Sequence, residues 1–273
     1  MKQVLTFLLI IVVALSSCTS KFAKIQKSKD YQYKLKMAAQ YYAKQKFNFA
    51  QILFEEVFPY LKGTPQFEDI YYKFAYCSYY EKDFLNAENL FKTFVETFPN
   101  SPRAEECEYM RAYSYFKQSP KVELDQTNTN KTIGLMQVFI NTHPTSKRVK
   151  EASDIMDLCR EKLELKDYKS AELYYNLGFF KAAAISFSNV SENFPDSKKS
   201  DEYKLLVIKS YYKYAEMSIL EKQEERFEKV LNECADFKER FRESKFIQEV
   251  ERYKTLSNNF IKNQKNEQVK KAA

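Results

Sequence analysis

The side chains best suited to metal or nucleophilic chemistry are one histidine, His143, and five cysteines, and their spacing supports neither. Cys77, Cys107, Cys159 and Cys234 lie far apart, with no Cys-x-x-Cys pair and no metal-ligand spacing. Each stands beside apolar residues in a helical pattern, so buried free thiols are expected, with a disulfide left open. His143 precedes Pro144 at the place where Phe98 and Phe194 precede prolines elsewhere, which makes it a packing residue. Ser186 and Ser188 lack a partnering base, and the acidic pairs Glu105-Glu106 and Glu224-Glu225 read as solvated helix faces. With 3 glycines in the chain there is no Gly-rich loop to cradle phosphate. No catalytic residue, no metal site and no cofactor is expected, and the chain reads as a non-enzyme.

Cys18 is different, because of what precedes it. Met1-Lys2-Gln3 opens a short basic start, and Val4 to Leu15 runs apolar except for Thr6. That run is too short to span a bilayer, which takes about 20 residues, and it reads as a secretory signal over residues 1–17. Its end, Leu15-Ser16-Ser17-Cys18, resembles the lipobox of bacterial lipoprotein precursors. The resemblance implies cleavage before Cys18, with diacylglycerol and an N-acyl chain (palmitate) added to it. Two or three acyl chains make a far firmer anchor than one. Thr19, Ser20 and Lys21 follow, with no Asp beside the anchor, which points to the outer membrane over the inner one.

Formal charge is +7, or +6 once Lys2 leaves with the signal. With 44 basic and 37 acidic side chains interspersed, a solvated mixed surface is expected, with no nucleic-acid partner. Scarce glycine, no tryptophan, 21 tyrosines and 23 phenylalanines argue for an all-α fold over a turn-rich β fold.

The elements repeat. Phe98-Pro99-Asn100-Ser101-Pro102-Arg103 matches His143-Pro144-Thr145-Ser146-Lys147-Arg148 and Phe194-Pro195-Asp196-Ser197-Lys198-Lys199, with a degenerate copy at Phe241-Arg242-Glu243-Ser244-Lys245. Proline stops one helix and the residues after it suit the start of the next. Before these stops lie amphipathic helices: Phe47, Ala50, Phe54, Val57; then Phe84, Ala87, Phe91, Phe94; then Phe180, Ala183, Phe187, Val190; then Phe227, Val230, Cys234, Phe237. Partner helices carry Ala38, Ala75, Ala112 and Ala171. The interval of 37 from Phe47 to Phe84 is close to the ~34 of a tetratricopeptide repeat (TPR), whose A…F…P pattern these residues resemble. The reading is a right-handed superhelix of about five TPR-like helix pairs over residues 31–255. A polar insertion over 118–130 divides the third pair, one long helix or two abutting ones run from about Arg148 to Leu177, residues 18–30 form a polar tether, and residues 256–273 form a polar, disordered tail.

In TPR proteins the first helix of each pair lines a groove. Laying that register on this chain places Tyr72, Tyr76, Tyr79 and Tyr80 of the second pair there, with Asp69. The third pair adds Tyr109, Tyr113 and Phe116 with Glu106 and Lys117, the first adds Leu35 and Tyr42, and the fourth Tyr168 and Tyr175. Tyrosine offers a rigid apolar face with a polar tip, suited to extended or aromatic-ended peptides; the same rings could instead fill a narrow superhelix. On the binding reading, Tyr76→Ala with Tyr113→Ala should weaken capture of peptides ending in Phe without unfolding the chain.

Together the lipobox, the repeats, the insertion with Leu124-Asp125-Gln126-Thr127, and the stretch Ala171-Glu172-Leu173-Tyr174-Tyr175-Asn176-Leu177-Gly178-Phe179-Phe180-Lys181-Ala182-Ala183 resemble the BamD family of outer-membrane assembly lipoproteins. The resemblance spans about residues 18–250. It implies a scaffold lipid-anchored to the periplasmic face of the outer membrane, as part of the β-barrel assembly machinery (BAM complex). Its partners would be the POTRA domains of a BamA-type insertase, met by the C-terminal repeats, and unfolded outer-membrane proteins, met by the N-terminal ones. Other assembly lipoproteins would join them. Arg242 in place of the last proline, the long final helices and the basic tail depart from the family, so no docking residues are carried over. The alternatives are a TPR lipoprotein of cell-envelope or peptidoglycan maintenance, serving Tol-Pal or hydrolases, and a glycan-binding uptake lipoprotein, against which the absence of tryptophan counts.

Overall fold

The computed structural model describes residues 21–272, with side chains to position 266. The signal segment and Cys18 lie outside the described residues. Among the described residues all regular structure is helical, and no helix is long and apolar enough to cross a membrane. The chain divides into two compact units, Met1–Cys159 and Arg160–Ala273, where one domain over 31–255 was expected.

In the first unit a short helical stretch, 21–26, leads into α1 (Tyr31–Ala43), α2 (Phe47–Leu61), α3 (Pro65–Tyr80), α4 (Phe84–Thr97), α5 (Ala104–Lys117) and α6 (Thr127–Thr142). Each helix packs on the next, so pairs stack in chain order. The helix α7 (Val149–Asn176) is continuous and supplies residues to both units. The second unit adds α8 (Phe180–Asn193), α9 (Ser200–Glu216), α10 (Leu220–Arg240) and α11 (Ile247–Ala272).

The small-plus-phenylalanine spacing does what its period suggests. Ala38, Ala50, Ala75, Ala87, Ala112, Ala171 and Ala183 are wholly buried, and Phe54, Phe91 and Phe187 fill the space their methyl groups leave. In the last pair Phe227, Val230, Cys234 and Phe237 take the same role.

Two kinds of turn recur. Within pairs the helix closes by paired backbone hydrogen bonds: Gln45 N–H to the Tyr42 carbonyl with Lys46 N–H to Tyr41, Lys82 to Tyr79 with Asp83 to Ser78, and Gly178 to Tyr175 with Phe179 to Tyr174. The middle residue is left-handed each time, at φ 56°, 63° and 80°, yet only the third is glycine. Between pairs, the Ser N–H of each Pro-x-Ser stop returns to the carbonyl ahead of the proline, as in Ser101 to Phe98 and Ser197 to Phe194. The serine hydroxyl then accepts the N–H two residues on and donates to a carboxylate of an earlier helix, near its start in three of the four cases and mid-helix at Glu164. The pairs are Ser101–Glu68 at 2.6 Å, Ser146–Glu105 at 2.5 Å, Ser197–Glu164 at 2.6 Å and Ser244–Asp201 at 2.7 Å. Four copies of one bond thus tie each stop back to the previous repeat.

Three expectations need correction. Residues 18–30 are not simply a polar tether: Phe22 and Ile25 are buried, with the Phe22 ring 4.5 Å from Phe49 and 5.9 Å from Tyr41. The insertion ends sooner than 130, because Asp125 caps the Thr127 N–H at 2.9 Å and starts α6 there. The buried Gln126 amide gathers the loop by donating to the carbonyls of Lys121 and Leu124. The polar tail is helix, since α11 runs to Ala272. It is held partly by polar contacts: the Gln264 amide donates to Gln223 at 3.0 Å, and Lys265 pairs with Glu224 at 2.9 Å.

Candidate functional site

The tyrosines chosen from the register come together in the first unit as one aromatic layer carried by α1, α3 and α5. Phe47 stacks on Tyr80 at 4.4 Å and meets Tyr42 at 5.5 Å. Tyr76 touches Tyr72, Tyr79 and Tyr80, Tyr79 reaches Tyr113 at 6.2 Å, and Tyr113 continues to Tyr109 and Phe116. Exposure divides them. Tyr76 (7% exposed) and Tyr109 (1%) are interior rings, whereas Tyr80 is 47% exposed. Tyr42, Tyr72, Tyr79, Tyr113 and Phe116 are half-buried. Open contact area therefore centres on Tyr80, with the half-buried rings around it. In the second unit Tyr168 packs on Phe187 and Tyr203, and Tyr175 on Phe180.

Charged groups organise this layer. Glu106 accepts from the hydroxyls of Tyr72 at 2.8 Å and Tyr76 at 2.6 Å, and Arg148 approaches it at 3.4 Å. Arg103 lies over the Tyr72 ring at 4.6 Å and Arg148 over Tyr109 at 4.5 Å. These arginines hold the same place in two Pro-x-Ser stops, two residues past the serine. Arg103 also pairs with Asp69 at 2.9 Å. Their shared position was readable in the repeat, but their place over Tyr72 and Tyr109, each in an earlier helix, was not.

Burial, then the bond to Glu106, pushes the Tyr72 hydroxyl up to about 12, and the same two causes push Tyr76 further. Both remain neutral donors through the physiological range. Burial works against ionisation of Asp69, but Lys73 and Arg103 outweigh it and hold its carboxyl below the usual carboxylate range.

The reactive candidates are quiet. Cys77, Cys107 and Cys234 are free thiols, and all four cysteines of the described residues, Cys159 included, are buried. Burial pushes the Cys77 and Cys234 thiols up to about 12, far from the thiolate needed for nucleophilic or redox chemistry. His143 packs on Phe139 and meets Glu108 at 2.9 Å. Among the described residues no group of three His, Cys, Asp or Glu could hold a metal ion. What the site offers is surface: rigid rings, neutral hydroxyls and two arginines fixed by neighbours.

A family of proteins described as outer membrane lipoprotein, YfiO, matches residues 26–229. The chain is 27% identical over 157 residues to a putative outer membrane protein assembly factor BamD of Aquifex aeolicus, covering 57% of this chain and 51% of that protein. To the outer membrane protein assembly factor BamD of Caulobacter vibrioides it is 22% identical over 137 residues, covering 50% and 45%. The chain thus spans about half the length of these curated relatives. Among solved structures it is similar to the TPR2AB-domain:pHSP90 complex of yeast Sti1 (TM-score 0.40, 11% identity, 84% of this chain and 98% of that one). A thermophilic TPR protein of Thermus thermophilus gives 0.32, 16%, 83% and 98%. Likenesses that weak carry no argument, and the fold rests on the helix pairs described above. The match over residues 26–229 does carry one: the chain belongs to the YfiO family of outer membrane lipoproteins, the BamD family that its motifs resemble.

Proposed function

We propose that this chain is a non-enzymatic assembly factor, lipid-anchored through Cys18 to the periplasmic face of the outer membrane, that helps unfolded outer-membrane proteins reach a β-barrel insertase. The observation that carries the reading is the aromatic layer of the first unit, whose accessible part is Tyr80 with the half-buried Tyr42, Tyr79, Tyr113 and Phe116 around it. Extended segments with aromatic ends suit such a surface, since ring-on-ring contacts contribute about 0.5–1.5 kcal/mol each beyond area burial. Family membership and the two BamD relatives support the same role. The C-terminal repeats would meet the POTRA domains of a BamA-type insertase, and further assembly lipoproteins would complete the machinery. The test is to purify the lipidated protein from membranes and identify what accompanies it. A barrel protein with POTRA domains is expected. Tol-Pal proteins or peptidoglycan hydrolases without that barrel would overturn the proposal.

A further inference from the structure

Positive charge is concentrated at the lipidated end of the chain. Between positions 21 and 46 stand eight lysines and one acid, Asp30, a formal +7 that equals the charge of the whole chain. From position 47 onward basic and acidic side chains cancel to within one. A charge distribution that looked mixed along the sequence is therefore uneven, with a strongly basic amino-terminal end and a remainder whose charges cancel in sum.

The fold turns all but Lys34 of these lysines outward. Phe22 and Ile25 enter the core of the first unit, and Lys21, Lys24 and Lys27, on the other side of the same helical turns, are exposed. Lys29 is exposed in the turn that follows, and Lys44 just past the end of α1. Tyr41 and Phe49, which flank that end, hold the Phe22 ring, so the short helical stretch 21–26 with the turn after it forms a strap that lies against it. Among the described residues these five lysines make no ion pair, whereas Lys34 is taken up by Glu56 at 2.5 Å. Packing thus fixes which side of the strap meets solvent, and that side is cationic.

We infer that Lys21, Lys24, Lys27 and Lys29, with Lys44 beside them, form a docking face for an anionic phospholipid surface. The inference rests on lipidation of Cys18. Lys21 is three positions past Cys18, so even a fully extended link keeps the first lysine within about 10 Å of the anchor, roughly one Debye length at 0.1 M salt. Apolar insertion is not available to the strap, because its apolar residues are already inside the protein. What it offers the membrane is charge alone, which orients the first unit on the headgroups while the acyl chains hold it there. Each lysine near an anionic leaflet strengthens partitioning about fivefold at low salt.

Two measurements keep this distinct from the anchor itself. The mass of the amino-terminal peptide from membrane-derived protein reports lipidation of Cys18. Separately, the mature chain without acyl groups, carrying Cys18→Ser and lacking residues 1–17, is sedimented with vesicles of phosphatidylcholine alone or mixed with phosphatidylglycerol. Binding to the mixed vesicles, little to the neutral ones, and loss at high salt are expected. The combined variant Lys21→Gln, Lys24→Gln, Lys27→Gln and Lys29→Gln should lower binding to the mixed vesicles by two orders of magnitude or more, with helicity and melting unchanged. Equal binding to both vesicle types, or a variant that binds as well as its parent, would overturn the inference even where Cys18 is lipidated.

Discussion

Replacing Ser101 by alanine removes two contacts at once. Its hydroxyl donates to Glu68 at 2.6 Å and accepts the Arg103 N–H at 3.0 Å. A hydrogen bond to a charged group contributes about 1.5–3 kcal/mol and a neutral one about 0.5–1.5, so full burial would put the loss near 3 kcal/mol. Ser101 and Glu68 are both half-buried, so water recovers part of each bond, and a loss of about 1.5–2 kcal/mol is expected. The corresponding Ser146–Glu105 contact is exposed and should contribute well under about 1 kcal/mol. The assay is a double-mutant cycle with Ser101→Ala and Glu68→Gln, read by urea unfolding and by amide hydrogen exchange in α3 and α5. Hydrogen exchange matters here because a chain of two units need not unfold in one step. A coupling of about 1 kcal/mol is expected, together with faster exchange at the facing ends of those helices. If Ser101→Ala is neutral, or its effect simply adds to that of Glu68→Gln, the recurring serine bond does not tie the repeats together.

Other consequences are simpler to read. At Gly178 a Cβ would meet nothing within 4 Å, so Gly178→Ala should cost only the backbone penalty of φ 80°, about 1 kcal/mol, by thermal melting. Lys82→Gly, at φ 63°, should lose less than an ordinary helix-to-glycine change or be stabilising. For Glu233, burial favours the neutral acid, but Lys204 and Lys229 prevail and lower its pKa, as Lys73 and Arg103 do for Asp69. Both groups are depressed, so the folded chain binds fewer protons than the unfolded one through the carboxylate range. Their contribution is therefore complete above about pH 4–5 and is lost as pH falls below it. Melting temperature followed downward from neutral pH should drop over that range, and Glu233→Gln should flatten the drop.

How much of this was legible depended on whether the cause lay within one helix. The repeat register was, because proline stops and Ala/Phe spacing are local signals, and Ala87 and Phe91 are buried where the period puts them. A single helix from Val149 to Asn176 was one of two readings of that segment. The serine bonds were not legible, since their partners lie in earlier helices at unequal separations, as with Glu68 for Ser101 and Asp201 for Ser244. The strap was missed because two apolar residues among lysines are too few to show a period. The end of α11 was missed because part of its support is polar, as in the Gln264–Gln223 contact. For the tyrosines, the register grouped residues of α3 and α5 whose rings meet in one layer, but it carried no depth. The Tyr76 ring is covered by Phe91 of the next helix and Tyr109 by Phe139, contacts a helical wheel does not contain. Tyr76→Ala is therefore expected to cost stability as well as binding, and Tyr80 is the better probe.

A photo-crosslinking residue placed at Tyr80 in cells making the lipidated protein tests the central claim most directly. The account predicts ultraviolet-dependent adducts with newly exported outer-membrane barrel proteins, and far fewer from the same residue placed at the exposed Lys222 of the second unit. Equal yields at the two positions, or adducts only with peptidoglycan hydrolases or Tol-Pal components, would contradict it.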